Sequence, residues 1–155
     1  MSEEKKNEGP SLRASCLAML ARREHSQLEL TQKLTQKGFQ ERDIELLLEE
    51  FVQLGWQSDQ RFAESYSRSR FYKGFGPVRI QYELKERGVE IDVHHVFDEQ
   101  PDWQALLYEL NIKKYGGLAP VDMKERAKRM RFFQHKGFTH DMIRQLFNQL
   151  SKDRF

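Results

Sequence analysis

An all-α fold of three tandem three-helix repeats, set in an elongated and curved array, is what this 155-residue chain predicts. Three observations carry that reading. Leu occurs 17 times while Val, Ile and Thr together occur 14 times, a balance that favours helix, since β-branched residues are the usual strand formers. Only 38% of the residues are hydrophobic, which suits several thin cores better than one thick one. Gly38, Gly88 and Gly137 recur 50 and 49 residues apart, each inside a similar local pattern.

The pattern around those glycines reads as a helix, a stop, a turn and a second helix. Each glycine follows a base (Lys37, Arg87, Lys136) and precedes an apolar residue (Phe39, Val89, Phe138) that can pack back on the preceding turn. Leu34, Leu84 and Phe133 lie four residues before, and Leu47, Phe97 and Leu146 nine after. Leu30 and Ile80 match eight residues before the first two glycines, where the third copy has Arg129. A further helix precedes each pair, marked by Leu12, Leu17 and Leu20, then by Phe62, Ala63 and Tyr66, then by Trp103, Leu107 and Leu110. Three short helices are about the least that encloses a private core.

Punctuation sets the boundaries. Residues 1–10 read as a disordered tail, 11–56 as the first repeat, 57–100 as the second and 101–155 as the third. Ser26-Gln27-Leu28-Glu29 is a capping-box pattern, Ser58 or Asp59 can cap the next helix, and Thr139 the last. Gly116-Gly117-Leu118-Ala119-Pro120 is a longer connection inside the third repeat. Between Lys73 and Gly88, Gly74 and Gly76 supply a flexible turn, Pro77 suits the first helical position, and Gly88 stops the helix.

Net charge is only +2, but it is unevenly placed. Residues 61–88 hold seven bases and three acids, 89–110 six acids and no base, and 124–155 nine bases and three acids. Such blocks suit a surface that meets nucleic acid or an acidic protein groove. No apolar run approaches the ~20 residues of a membrane span. The single cysteine, Cys16, cannot form an intrachain disulfide and fits a reducing cytoplasm.

No catalytic constellation emerges. Gly74-Phe75-Gly76 lacks the preceding strand and the Gly-Lys-Ser/Thr ending of a phosphate loop. His94, His95, His135 and His140 have no cysteine or carboxylate cluster completing a ligand set, so neither metal nor cofactor is expected. Cys16 reads as a buried thiol on an apolar face, and His25-Ser26 as a helix cap. Phe71, Tyr72 and Phe75, interleaved with bases, suit either stacking on nucleic-acid bases or packing within the protein.

The run Ser58-Asp59-Gln60-Arg61-Phe62-Ala63-Glu64-Ser65-Tyr66, then Arg68-Ser69-Arg70, then Gly74-Phe75-Gly76-Pro77-Val78-Arg79-Ile80 and Glu83-Leu84 to Gly88, resembles the signature of the RecX regulators. Leu20-Ala21-Arg22-Arg23-Glu24-His25-Ser26, Glu29-Leu30 and Lys33-Leu34 to Gly38-Phe39 resemble that family's first repeat. The resemblance covers about residues 12–150 and is loosest in the third repeat. It implies a bacterial cytoplasmic, non-enzymatic protein that binds RecA in the helical groove of its filament on single-stranded DNA. Such a protein mainly inhibits strand exchange, ATP hydrolysis and co-protease activity, and so regulates DNA repair and recombination.

On this reading the expected partner is RecA, with single- or double-stranded DNA as a further contact, no membrane, and a monomeric chain. Arg68, Arg70, Lys73 and Arg79, with Lys85 and Arg87, are expected on the contact surface together with the basic third repeat. Lys124, Arg126, Lys128, Arg129 and Arg131 are the expected DNA contacts. Charge reversal at Arg70 and Arg79 is expected to weaken inhibition without changing the helical signal. A stand-alone DNA-binding helical module is the alternative, since small three-helix units can place a helix in a groove.

Overall fold

The computed structural model describes residues 9–153, so the expected tail lies outside the described residues from 1 to 8. The described chain is all-α. Its helices are α1 (Leu12–Arg22), α2 (Gln27–Gln36), α3 (Glu41–Gln53), α4 (Asp59–Tyr72), α5 (Pro77–Glu86), α6 (Trp103–Tyr115), α7 (Met123–Lys136) and α8 (His140–Lys152), with a 3-10 turn at Val93–His95. No helix among the described residues is long and apolar enough to cross a membrane.

Local chemistry explains most of the boundaries. Ser26 accepts a bond from the Glu29 amide while the Glu29 carboxylate accepts from the Ser26 amide, which closes the capping box at α2. Ser11, Ser58, Asp102, Asp122 and Thr139 each accept from an amide three residues on. Gly38, Gly88 and Gly137 carry φ of +98°, +79° and +105°, so the three recurring glycines are left-handed helix stops. At the first and third, the Phe39 and Phe138 amides donate back to Leu34 and Phe133, closing the cap, with Phe138 buried and Phe39 half-buried against it.

The chain gathers into two compact units. The first holds the described residues through Ser65 together with Glu86–Glu90, and the second holds Tyr66–Lys85 with the chain from Ile91 onward. In the first unit α2 packs on both α1 and α3 around Cys16, Leu30, Leu34, Ile44, Leu47, Leu48 and Phe51. In the second, α8 packs on α6 and α7 around Leu107, Ala119, Phe133, Phe138, Ile143, Leu146, Phe147 and Leu150.

Two expected helix details change. On α1, Ser15 and Cys16 are buried whereas Leu17 is 39% exposed. Cys16 stands four residues from both Leu12 and Leu20, and one further residue swings Leu17 about 100° off that face. After Gly88 the chain makes only the 3-10 turn rather than a full third helix. With three residues per turn, Val93 and Val96 share one buried face, and Phe97 turns instead to a ring cluster with Phe71 and Trp103. The Gln81 side chain steadies the turn, donating to the Ile91 carbonyl at 2.9 Å and accepting from the Val93 amide at 2.7 Å.

Candidate functional site

Within the second unit the basic residues divide into two sets. The first is built around one carboxylate. Glu83 is buried on α5, between Ile80 and Leu84 in sequence, and accepts four bonds. Arg70 of α4 donates through Nε and Nη2, both at 2.8 Å, Arg79 through Nε at 3.0 Å, and Tyr66 through its hydroxyl at 2.8 Å. Burial pushes the Glu83 carboxyl up, but the bonds from Arg70, Arg79 and Tyr66 outweigh it and hold it below its ordinary value.

The same cations crown Phe75. The Arg70 guanidinium lies 3.9 Å from the ring centroid, the Lys136 ammonium 4.1 Å and the Arg79 guanidinium 4.8 Å. Arg79 also donates to the His135 carbonyl at 3.1 Å. Phe75 is therefore occupied by cation contacts within the fold, and Phe71 by Phe97 and Trp103. Both aromatics thus have partners within the fold. Tyr72 remains exposed.

The Gly76-Pro77 start of α5 has no side-chain cap, and the turn before Gly137 supplies one. The Gly76 amide donates to the Lys136 carbonyl at 2.8 Å and the Val78 amide to the Gly137 carbonyl at 2.9 Å. Unsatisfied amides at the start of α5 thus meet unsatisfied carbonyls at the end of α7. The approach is so close that a Cβ on Gly76 would lie 2.5 Å from the Gly137 oxygen. Gly76 is needed for proximity, whereas Gly74 is needed for its φ of +91°.

Arg129 also belongs to the interior. It is buried in α7, donates to Glu125 at 2.9 Å and to the Asn111 side chain and Leu118 carbonyl, and stacks on Tyr115 at 4.4 Å. An arginine takes the place held by Leu30 and Ile80 in the other repeats because the longer 116–122 connection brings a carbonyl to it. Arg126 lies over the Phe147 ring at 4.7 Å. Arg87, in the first unit, reaches Glu29 at 3.8 Å and Glu86 at 3.9 Å. Of the expected contact residues, Arg70, Arg79 and Arg129 are thus bonded within the fold. Arg70 and Arg79 are half-buried against Glu83, so reversing either would set a second carboxylate beside it.

The second set faces solvent. Arg68 and Lys73 are exposed near the end of α4, and Lys85 near the end of α5. On α7, Lys124, Lys128 and Arg131 are all exposed and stand at i, i+4 and i+7, which places them on one helix face along about 10 Å. None of these six pairs with a carboxylate among the described residues. The α7 stripe is the candidate interaction surface. Its spacing could have been read from the sequence, but not its separation from Arg126 and Arg129, which alternate with it. Among the described residues no group of three or more His, Cys, Asp or Glu side chains could hold a metal ion.

Comparison with known proteins agrees along the chain. Residues 13–51, 58–93 and 101–147 match the family models described as the first, second and third three-helix domains of RecX. The chain is 40% identical over 140 residues to regulatory protein RecX of Pseudomonas savastanoi pv. phaseolicola, covering 89% of this chain and 90% of that one. It is 37% identical over 138 residues to regulatory protein RecX of Legionella pneumophila strain Corby, covering 88% and 92%. Its fold is similar to the crystal structure of RecX from Lactobacillus salivarius, with a TM-score of 0.70, 20% identity, and 90% and 94% of the two chains covered. A second crystal structure of regulatory protein RecX matches with a TM-score of 0.75 at 19% identity, over 88% and 71%.

Proposed function

The chain belongs to the RecX family of regulatory proteins, and from that premise we propose that it binds RecA on single-stranded DNA and restrains its recombinase, ATPase and co-protease activities. The family is one of regulators rather than enzymes. The observation that carries the reading is the match of all three repeats. The setting is the bacterial cytoplasm, where RecA works.

The exposed bases supply the chemistry of contact. Lys124, Lys128 and Arg131 on α7, with Arg68 and Lys73 on α4, meet acidic side chains or phosphates of the filament. Unpaired surface cations speed encounter and set register. Arg70, Arg79 and Arg129 act one step back, by holding the helices that present those bases.

The test is RecA-dependent ATP hydrolysis on single-stranded DNA, with and without this protein, beside a measurement of its binding to bare DNA. Inhibition at concentrations where bare DNA stays unbound is expected. Charge reversal of Lys124, Lys128 and Arg131 together should weaken that inhibition and leave the helical signal intact. If inhibition appears only where bare DNA is coated, the protein is a stand-alone DNA-binding module and the RecA reading fails.

A further inference from the structure

A groove of about 680 Å³ in the first unit runs between α1 and α2. Its volume lies within the roughly 300–1,000 Å³ of small-ligand sites. Ala14 and Ala18 line it at a spacing of one turn, with Met19 and the buried Ser15 beside them, so its α1 side is small and mostly apolar. Arg22, Arg23, Lys33, Lys37 and His25 line it together with Pro10, Ser15 and Gln36, and no Asp or Glu does.

Those cations are not equivalent. Arg23 is satisfied by Glu29, at 3.1 and 3.3 Å, and by the Glu24 carbonyl. Lys33 has Glu29 one turn before it on α2, but that carboxylate faces Arg23 and the Ser26 amide. Lys33 instead donates to Nε2 of buried His25 at 3.2 Å. The other ring nitrogen, Nδ1, donates to the Arg23 carbonyl at 3.1 Å, which fixes the tautomer and leaves Nε2 as acceptor. Burial and the charges of Arg23 and Lys33 lower the His25 imidazole from its ordinary value. The imidazole therefore orients Lys33 without cancelling its charge. Bases near helix C-termini often only complement the helix dipole. That does not account for a lysine held on an imidazole, and Lys33 also borders the neighbouring groove lined by Glu29 and Glu86.

We propose that this groove is a phosphoryl-binding site, in which Lys33, Arg22 and Lys37 contact the non-bridging oxygens of a nucleic-acid single strand and His25 positions Lys33. The mostly apolar α1 side suits the sugar and base edge of one nucleotide, and the cationic wall its phosphate. Phosphoryl oxygens are met well by ammonium and guanidinium donors together. The site goes beyond the partner proposed above, because it needs no RecA.

The test uses the full chain alone, with the His25 ring nitrogens followed by NMR. One titration adds a short oligodeoxythymidine and another adds inorganic pyrophosphate. A saturable shift of the His25 Nε2 resonance is expected with the oligonucleotide. Arg22→Gln and Lys37→Gln leave the imidazole's own partners in place, and each should weaken that binding about tenfold. The salt slope of binding should fall by about 0.7 for each phosphate that is no longer neutralised. A shift with pyrophosphate alone would assign the groove to a free phosphoryl compound and overturn the single-strand assignment. A resonance unmoved by both ligands, or unchanged affinity in both variants, would overturn the site. None of these outcomes depends on RecA inhibition, so the two proposals fail separately.

Discussion

Replacing Glu83 by Gln should cost the second unit about 2–3 kcal/mol at neutral pH, and that cost should fade in acid. Glu83 accepts four bonds, three of them from guanidinium groups. Charge-assisted bonds contribute roughly 1.5–3 kcal/mol each, and removing one partner of a buried ion pair costs about 3–5 kcal/mol. The lower figure applies here because the Arg70 and Arg79 side chains are 20% and 31% exposed and recover part of their hydration. Gln keeps one acceptor oxygen but turns an amide donor toward a guanidinium.

The sign of the pH effect follows from the lowered folded pKa of Glu83. Its contribution is fully present above the unfolded carboxyl value and is lost as pH falls through the folded value. Urea unfolding followed by circular dichroism at neutral pH, and again at successively lower pH, measures this. The gap between wild type and Glu83→Gln should close on the acid side. A gap below about 0.5 kcal/mol, the scatter of ordinary surface substitutions, would refute the assignment of Glu83 as the keystone. So would a gap that stays constant with pH.

Two further outcomes test the packing. Gly137→Ala should destabilise by about 3 kcal/mol or more, because a Cβ there lies 2.4 Å from the Arg79 Cβ at a φ of +105°. Gly38→Ala, at φ +98° with nothing within 4 Å, should cost only about 1 kcal/mol, so the pair separates clash from backbone strain under the same urea assay. Burial pushes the Cys16 thiol up to about 11. Alkylation by iodoacetamide at mildly alkaline pH should therefore run about a hundredfold slower in the folded protein than in the unfolded chain.

Most of the architecture was legible because its signals are local. Ser26 with Glu29, Thr139, Pro77 and the glycines at 38, 88 and 137 act through bonds within a few residues of themselves. Such features read the same way in a string as in a folded chain. The helix expected after Gly88 gives way to a shorter turn because that turn depends on Gln81, ten and twelve residues away from the groups it bonds.

The interaction surface was legible only as a pool of basic residues. Arg68 and Arg70 look alike in the sequence, as do Lys128 and Arg129. One of each pair is exposed, and the other is directed to Glu83 or to the Leu118 carbonyl. His25 likewise reads as part of a cap until Lys33, eight residues on, is seen to meet it.

By itself, then, the sequence determined the helix grammar, the threefold repeat and the family, since caps, periodicity and signature residues are properties of short segments. The tertiary structure decided which charges are spent inside the fold and which remain for a partner. That choice depends on distant groups, such as Glu83 between Arg70 and Arg79, or the α7 carbonyls at the start of α5. Burial raises the cost of leaving any of them unpaired.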